Sequence, residues 1–180
     1  DYSAPMRRRF KAWLRERYND NTEAFQNAWN NPTITFDTAE VPSAEMQHTT
    51  THGLFRDPAV EQQVIDYYRC LADLCAATLI DFCHSVKVET GGQALAGAFF
   101  GYLMDLAWND CFFGSETDRS DASTIQRSGH LGLRTVLESS DIDFLVSPYG
   151  YAFRGLGGDG LPMPPSESLR IHGKLYLYEE

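Results

Sequence analysis

The stretch that decides the predicted fold is the last one, Ser168-Leu-Arg-Ile-His-Gly-Lys-Leu-Tyr-Leu-Tyr-Glu-Glu180. Two leucines alternate there with two tyrosines, in a run of residues that favour β-structure. The pattern predicts a buried strand over 172–178 that ends on two carboxylates, Glu179 and Glu180. Because the catalytic groups of (β/α) barrels lie where the strands end, a carboxylate at this tip indicates an active site. A polar strand end in solvent is the alternative interpretation.

Two apolar runs predict further strands. Residues 94–103 are continuously apolar with small side chains, which suits a strand buried on both faces of a parallel sheet, and 142–146 form a second apolar run. Helical patterns precede and separate these runs. Such alternation is typical of right-handed crossovers and a parallel sheet, so the predicted fold class is α/β with neighbouring parallel strands.

The N-terminal part of the chain predicts two short helices and a long loop. Ser3 and the proline after it begin a helix over about 4–18, and Thr22 is the predicted cap of the next helix. Residues 33–56 show weak periodicity, which predicts a loop with an extended piece at 33–36.

Asp57 and Pro58 predict the start of the longest helix, over about 58–86 and packed on the sheet. Its predicted apolar stripe consists of Val64, Tyr68, Leu71, Cys75, Leu79 and Phe82, with Val60, Ala72 and Ile80 beside it. A short helix is predicted over 129–139. Its inward side chains would be Leu131, Leu133, Val136 and Leu137.

The bulk composition restricts the partners and the compartment. A chain of 180 residues fits one domain, 1–180, with a real core. The net charge of −10 argues against nucleic acid or an anionic membrane as a partner. No run of 18 apolar residues exists, so no transmembrane helix is expected. The chain lacks an initiator Met and a signal peptide, which leaves open a soluble cytoplasmic protein or one secreted from a longer precursor.

The spacing of cysteine, histidine and glycine residues predicts no metal and no cofactor. Cys70, Cys75, Cys83 and Cys111 have no CxxC spacing, and we expect free thiols. The five histidines lack metal-ligand spacing. The glycine cluster 155–160 does not lie between a strand and a helix start, so it predicts a rim loop and not a phosphate loop.

The ends of the three predicted strands carry carboxylates and aromatic rings. Parallel strands end at one edge of a sheet, so these groups should converge. Rings that stack on a sugar and carboxylates that act on its hydroxyls or its glycosidic bond suit a carbohydrate substrate. The first strand leads to Tyr102, Asp105 and Trp108, the second to Ser147, Tyr149 and Tyr151, and the third to Glu179, with Arg154 in the rim loop.

Several of these segments resemble one enzyme family. Phe10-Lys-Ala-Trp-Leu-Arg-Glu-Arg-Tyr18 followed by Phe25-Gln-Asn-Ala-Trp29 resembles the helix after the fourth strand of family 42 β-galactosidases. Phe144-Leu-Val-Ser-Pro-Tyr149, the loop 154–160 and His172-Gly-Lys-Leu-Tyr176 are similar to the sixth and seventh strand regions of such barrels.

The resemblance implies a partial (β/α)8 barrel, about strands 5 to 7 with their preceding helices, from a retaining glycoside hydrolase. It implies that Glu179 is the nucleophile and that the acid/base Glu lies upstream of this chain. The implied partners are a carbohydrate and either the missing barrel half or a homo-oligomer. A non-catalytic carbohydrate-binding or interaction module is the alternative. Side-chain parity places Glu179 with Leu175 and Leu177 but leaves open which face of the strand points inward.

Overall fold

The structure is a computed structural model that describes residues 1–52, 55–103, 125–148, 155–158 and 163–179. It divides into two compact units, Asp1–Leu71 and Ala72–Glu180, and the prediction of a single domain over 1–180 stays a prediction. The predictions that lie outside the described residues concern Asp105, Trp108, Cys111, Tyr149, Tyr151, Arg154 and Glu180.

The first unit contains three short helices: α1 (Ala4–Arg17), α2 (Thr22–Ala28) and α3 (Ala44–His48). The predicted cap of α1 is confirmed, because the side chain of Ser3 accepts a hydrogen bond from the amide of Met6. For α2 the prediction was one residue late. Asn21 is the cap, since its side chain accepts from the amide of Ala24 and so satisfies a donor of the first turn.

The predicted extended piece at 33–36 is wrong, because this segment forms turns. Thr35 and Thr38 exchange side-chain and backbone hydrogen bonds, which close a compact turn in place of a strand. The same loop also holds α3, capped by Ser43, which the weak periodicity did not reveal.

The aromatic residues of the N-terminal motif form the core of the first unit. The rings of Phe10 and Phe25 are fully buried, and Phe10 meets the edge of Tyr67 at 5.5 Å between ring centroids. The carboxylate of Asp66 is also fully buried. It accepts hydrogen bonds from the Tyr18 hydroxyl at 2.6 Å and the Trp29 indole at 2.9 Å. The motif therefore organises a packed core around one buried carboxylate.

Helix α4 (Pro58–Glu89) confirms the predicted long helix and extends it by about one turn. The boundary between the two units falls within it. The predicted stripe was partly wrong, because Val60 and Phe82 are exposed while Ala76 and Cys83 are buried. The inward positions are small because another backbone comes close. A Cβ atom on Gly132 would lie 2.6 Å from the carbonyl oxygen of Ala72.

The second unit contains a three-stranded sheet made of β1 (Gly97–Phe99), β2 (Phe144–Pro148) and β3 (Leu175–Glu179). The strands are parallel and lie in the order β1-β2-β3, which confirms the predicted α/β class and pairing. The 3-10 turn His130–Gly132 and helix α5 (Leu133–Glu138) connect to β2, and helix α6 (Ser166–Ile171) connects to β3.

One face of the sheet is packed against helices, and we call it the covered face. Its residues follow from the register: Ala98, Leu145, Ser147, Tyr176 and Tyr178. Leu145 is fully buried in a cluster with Cys83 of α4 and Val136 of α5, and Tyr176 packs against that cluster. Leu131 is an exception to the predicted inward set, because it lies in the 3-10 turn and is exposed.

The opposite face, which we call the open face, leaves apolar side chains in solvent. It consists of Gly97, Phe99, Phe144, Val146, Pro148, Leu175, Leu177 and Glu179. Phe99 is 46% exposed, Leu175 52% and Leu177 44%. The predictions that the first and last strands are buried were therefore wrong. Alternating side chains of one strand face two environments, and only one of them is filled by the described helices.

The N-terminal edge of the sheet is closed by charged side chains. Lys87 near the end of α4 donates to the carboxylate of Asp143, which also accepts from the amide of Ala96 at 2.7 Å. The ammonium group of Lys174 donates to the carbonyl of Ile142 at 2.7 Å. Hydrogen bonding from Lys87 and from Ala96 lowers the pKa of Asp143 below its usual value.

The described cysteines Cys70, Cys75 and Cys83 form no disulfide bond, as predicted. Burial raises the pKa of the Cys75 thiol. It also raises the pKa of the Cys83 thiol, with a smaller contribution from the negative charge of Asp141. Among the described residues, no helix has the length and apolar character needed to cross a bilayer.

Candidate functional site

Glu179 lies at the C-terminal edge of the sheet, as the last residue of β3. It is paired with Pro148, the last residue of β2, so both strands end at the same level. Its side chain is exposed and belongs to the open face with Leu175 and Leu177. The alternation of side chains along the strand left open which face Glu179 occupies. In the structure it is the face opposite the helices. A carboxylate in this place is accessible to a ligand from the open side of the sheet.

Tyr102 follows β1 at the same edge of the sheet. The chain passes from β1 through the buried Phe100, whose amide donates to the carbonyl of Val146 at 3.3 Å, and then turns at Gly101. Gly101 has a φ of +85°, a conformation that glycine adopts without strain. Tyr102 is half-buried, and its ring meets the ring of His130 edge-on at 4.7 Å between centroids. Its position after β1 agrees with the sequence pattern, and its place in one site with Glu179 stays a prediction.

His130 is a further polar residue at this edge that the sequence did not indicate. Its Nδ1 accepts a hydrogen bond from the amide of Gly101 at 3.3 Å, and its ring is tilted on Phe100 at 4.5 Å. Burial lowers the pKa of His130 to about 4, so the ring is neutral at neutral pH. The contacts of its ring with the residues that follow β1 create this environment. No local spacing of histidines signals it.

Ser147 was expected at the mouth of the site, but it lies on the covered face and is fully buried. Its hydroxyl shares a hydrogen bond of 2.6 Å with the hydroxyl of Tyr176. The rings of Tyr176 and Tyr178 are in contact, with 4.6 Å between centroids. Ser147 therefore links the end of β2 to β3, and its side chain lies on the face opposite that of Glu179, because successive side chains of a strand point to alternate faces.

The described residues of the predicted site are Glu179, the last residue of β3, and Tyr102, which follows β1. The other predicted sugar-binding residues, Asp105, Trp108, Tyr149, Tyr151 and Arg154, lie outside the described residues. Within residues 1–52, 55–103, 125–148, 155–158 and 163–179, no three His, Cys, Asp or Glu side chains lie close enough to hold a metal ion. A carboxylate can act as an acceptor, a base or a nucleophile, and an aromatic ring can stack on a ligand.

Comparisons with protein-family models, with curated proteins and with solved structures found no significant match to this chain.

Proposed function

We propose that this chain is part of a retaining glycoside hydrolase that acts on β-galactosides or related sugars, with Glu179 as its nucleophile. The observation that carries the proposal is the position of Glu179 at the C-terminal end of a parallel strand, on the sheet face opposite the helices. That is the position in which (β/α) barrels hold catalytic groups. The resemblance to family 42 β-galactosidases adds the reaction class.

The proposed fold is a partial (β/α)8 barrel. Its support is that the three strands follow chain order, while α4 and α5 pack on one face only. A doubly wound sheet reverses its strand order and carries helices on both faces, whereas a barrel winds in one direction and keeps its helices outside. In this proposal the open face is the barrel interior, where apolar side chains such as Leu175 and Leu177 would meet the remaining strands.

The proposed reaction is a double displacement. The ionised carboxylate of Glu179 attacks the anomeric carbon, and the bond to the leaving-group oxygen breaks as an acid/base Glu from outside this chain protonates that oxygen. Water then attacks the glycosyl ester, with its proton passing to the same acid/base residue, and Glu179 is released as a carboxylate. The two carboxyl groups would lie about 5–5.5 Å apart, the spacing of retaining enzymes.

The partners that belong to this proposal are a carbohydrate substrate and the rest of the barrel, supplied by other residues of a longer protein or by another chain. The exposed apolar side chains of the open face support such a partner, because contiguous apolar patches on a protein surface mark interaction sites.

The proposal is tested with Glu179→Gln in the full-length gene product, with Glu180→Gln as the matched control. The amide cannot attack the anomeric carbon, so kcat for an aryl β-galactoside should fall by about three orders of magnitude or more, about 4 kcal/mol of barrier. The control should retain near wild-type turnover. Wild-type turnover by Glu179→Gln would refute the assignment. Binding of the sugar without turnover by the unmutated protein would favour a carbohydrate-binding module instead.

Azide distinguishes a nucleophile from an acid/base residue in the same experiment. In Glu179→Ala, azide can enter the vacated space and displace the aryl group from the side where the carboxylate stood. The expected product is a glycosyl azide of inverted, α configuration. An azide product of retained configuration would assign Glu179 as the acid/base residue, because that product requires an intact nucleophile.

A further inference from the structure

The end of β1 is held by an interaction between a backbone amide and a side chain from a distant turn. The amide of Gly101 donates to Nδ1 of His130 at 3.3 Å, and the amide of Leu103 donates back to the carbonyl of Gly101 at 2.9 Å. These two bonds fix the chain on both sides of Tyr102. The turn also has little freedom of its own. A Cβ atom on Gly101 would lie 2.8 Å from a methyl carbon of Leu133.

The position of His130 is itself fixed. Its backbone amide donates to the hydroxyl of Ser128 at 3.1 Å, and that hydroxyl donates to the carbonyl of Ile125 at 2.7 Å. The next turn, with Gly132, lies against the backbone of α4. His130 therefore projects from a rigid support toward the end of β1.

The contacts of the imidazole define its tautomer. A nitrogen that accepts an amide hydrogen carries no proton, so His130 is the neutral form with its hydrogen on Nε2. Burial acts in the same direction, since it disfavours the charged ring. The ring is in contact with Phe100 at 4.5 Å and with the edge of Tyr102 at 4.7 Å. Its orientation and that of Tyr102 are thus coupled.

We propose that His130 is a positioning residue of the sugar-binding site, which holds the Gly101 turn and thereby orients Tyr102 toward the substrate. The inference rests on the proposed function for the identity of the ligand, a sugar that packs on the tyrosine ring. His130 acts as a fixed acceptor and transfers no proton. Its contribution falls on substrate binding, and the chemical step belongs to the carboxylates.

Two substitutions of His130 test its role as a hydrogen-bond acceptor separately from its role as an aromatic ring. His130→Asn places an amide oxygen near the position of Nδ1 and keeps the bond to Gly101, whereas His130→Phe keeps an aromatic ring and loses the acceptor. In the 180-residue chain, hydrogen exchange of the Gly101 amide should be about tenfold faster in the Phe variant than in the wild type, and near wild type in the Asn variant. Equal exchange in all three proteins overturns the inference.

The unsubstituted chain provides a measurement that does not depend on whether a variant folds. A long-range proton–nitrogen NMR spectrum at neutral pH should show the His130 ring with its hydrogen on Nε2 and an unprotonated Nδ1. A hydrogen on Nδ1, or a doubly protonated ring, overturns the inference because neither form can accept from Gly101.

Kinetics of the full-length gene product distinguish positioning from general stabilisation. KM for the aryl β-galactoside should rise about tenfold in His130→Phe with kcat within about twofold, and His130→Asn should restore KM to near the wild-type value. A parallel loss of kcat in both variants contradicts a positioning role. The NMR results can agree with the prediction while the full-length protein cleaves no glycoside. In that case only the proposed function fails, and the hydrogen bond from Gly101 to His130 is still supported.

Discussion

The covered face and the open face of the sheet both carry leucines, but these leucines differ in what they contact. Leu145 on the covered face is fully buried between the strands and the helices, whereas Leu175 and Leu177 on the open face are 52% and 44% exposed. All three are leucines in short parallel strands. Composition therefore does not reveal which face of this sheet is packed. The difference lies in their surroundings, because the described helices pack only on the covered face.

The largest expected difference between the faces is in the free energy of unfolding that is lost when a leucine is truncated to alanine. Leu145→Ala should lower the free energy of unfolding by about 2–5 kcal/mol, because it leaves a cavity beside α4 and α5. Urea-induced unfolding of the 180-residue chain measures this, with Leu177→Ala as the matched control. Equal losses in the two variants would show that the open face is packed as well.

The next largest expected effect on the free energy of unfolding concerns the charged side chains at the N-terminal edge of the sheet. Asp143→Asn should cost about 1–2 kcal/mol at pH 7, less than a buried charged pair because the side chain is partly exposed. The exposed Asp81→Asn on α4 is the control and should change little.

The pH dependence of the Asp143 effect has a defined sign. Because Lys87 lowers the pKa of Asp143 in the folded state, the stabilisation is fully present above the unfolded pKa, about 4, and is lost as pH falls through the folded pKa. The difference between the wild type and Asp143→Asn should therefore shrink in urea titrations below about pH 4. A difference that persists unchanged at low pH would rule out the carboxylate as its source.

A smaller effect is expected for the hydroxyl pair on the covered face. Tyr176→Phe removes the partner of Ser147 at 2.6 Å, but the serine hydroxyl keeps the carbonyl of Pro148 at 3.1 Å. The expected loss is about 1 kcal/mol in urea-induced unfolding. Tyr178→Phe, on the same face and nearer the edge, is the comparison. A larger loss of unfolding free energy for Tyr178→Phe than for Tyr176→Phe would show that the Ser147–Tyr176 hydrogen bond is not the main hydroxyl contact on this face.

The smallest expected effect is that of Leu177→Ala itself in the 180-residue chain. A side chain already 44% exposed loses little contact on truncation, so we expect about 0.5 kcal/mol or less. The same substitution should be costly in the full-length gene product if other strands pack on the open face, about 2 kcal/mol or more. Thermal or urea unfolding of both proteins measures the contrast. Equal, small effects in both would argue against a barrel interior.

The sequence was sufficient where a local rule determines the structure. Ser3 caps α1, the Asp57-Pro58 pair begins α4, and alternation in the last strand places Glu179 at its end. Each of these features depends on residues close together in the chain. The parallel order of the strands also followed from the alternation of helical and extended patterns.

The sequence was insufficient where distant segments decide burial. The side chain of Phe82 points to solvent, while the small Ala76 faces the core because Gly132 lies against that part of α4. A search for large apolar residues at helical spacing therefore selects Phe82 and overlooks Ala76. The neutral, half-buried His130 likewise results from the meeting of a turn and a strand end far apart in sequence.

Covalent labelling of the full-length gene product can identify the nucleophile, with a 2-deoxy-2-fluoro-β-galactoside that carries a good leaving group as the reagent. The fluorine slows hydrolysis of the glycosyl-enzyme, so the intermediate accumulates and the modified residue is identified by peptide mass spectrometry. We expect one fluorosugar esterified to Glu179 and no label in Glu179→Gln. A label on another carboxylate, or turnover of the aryl β-galactoside with no labelled peptide, would contradict this expectation.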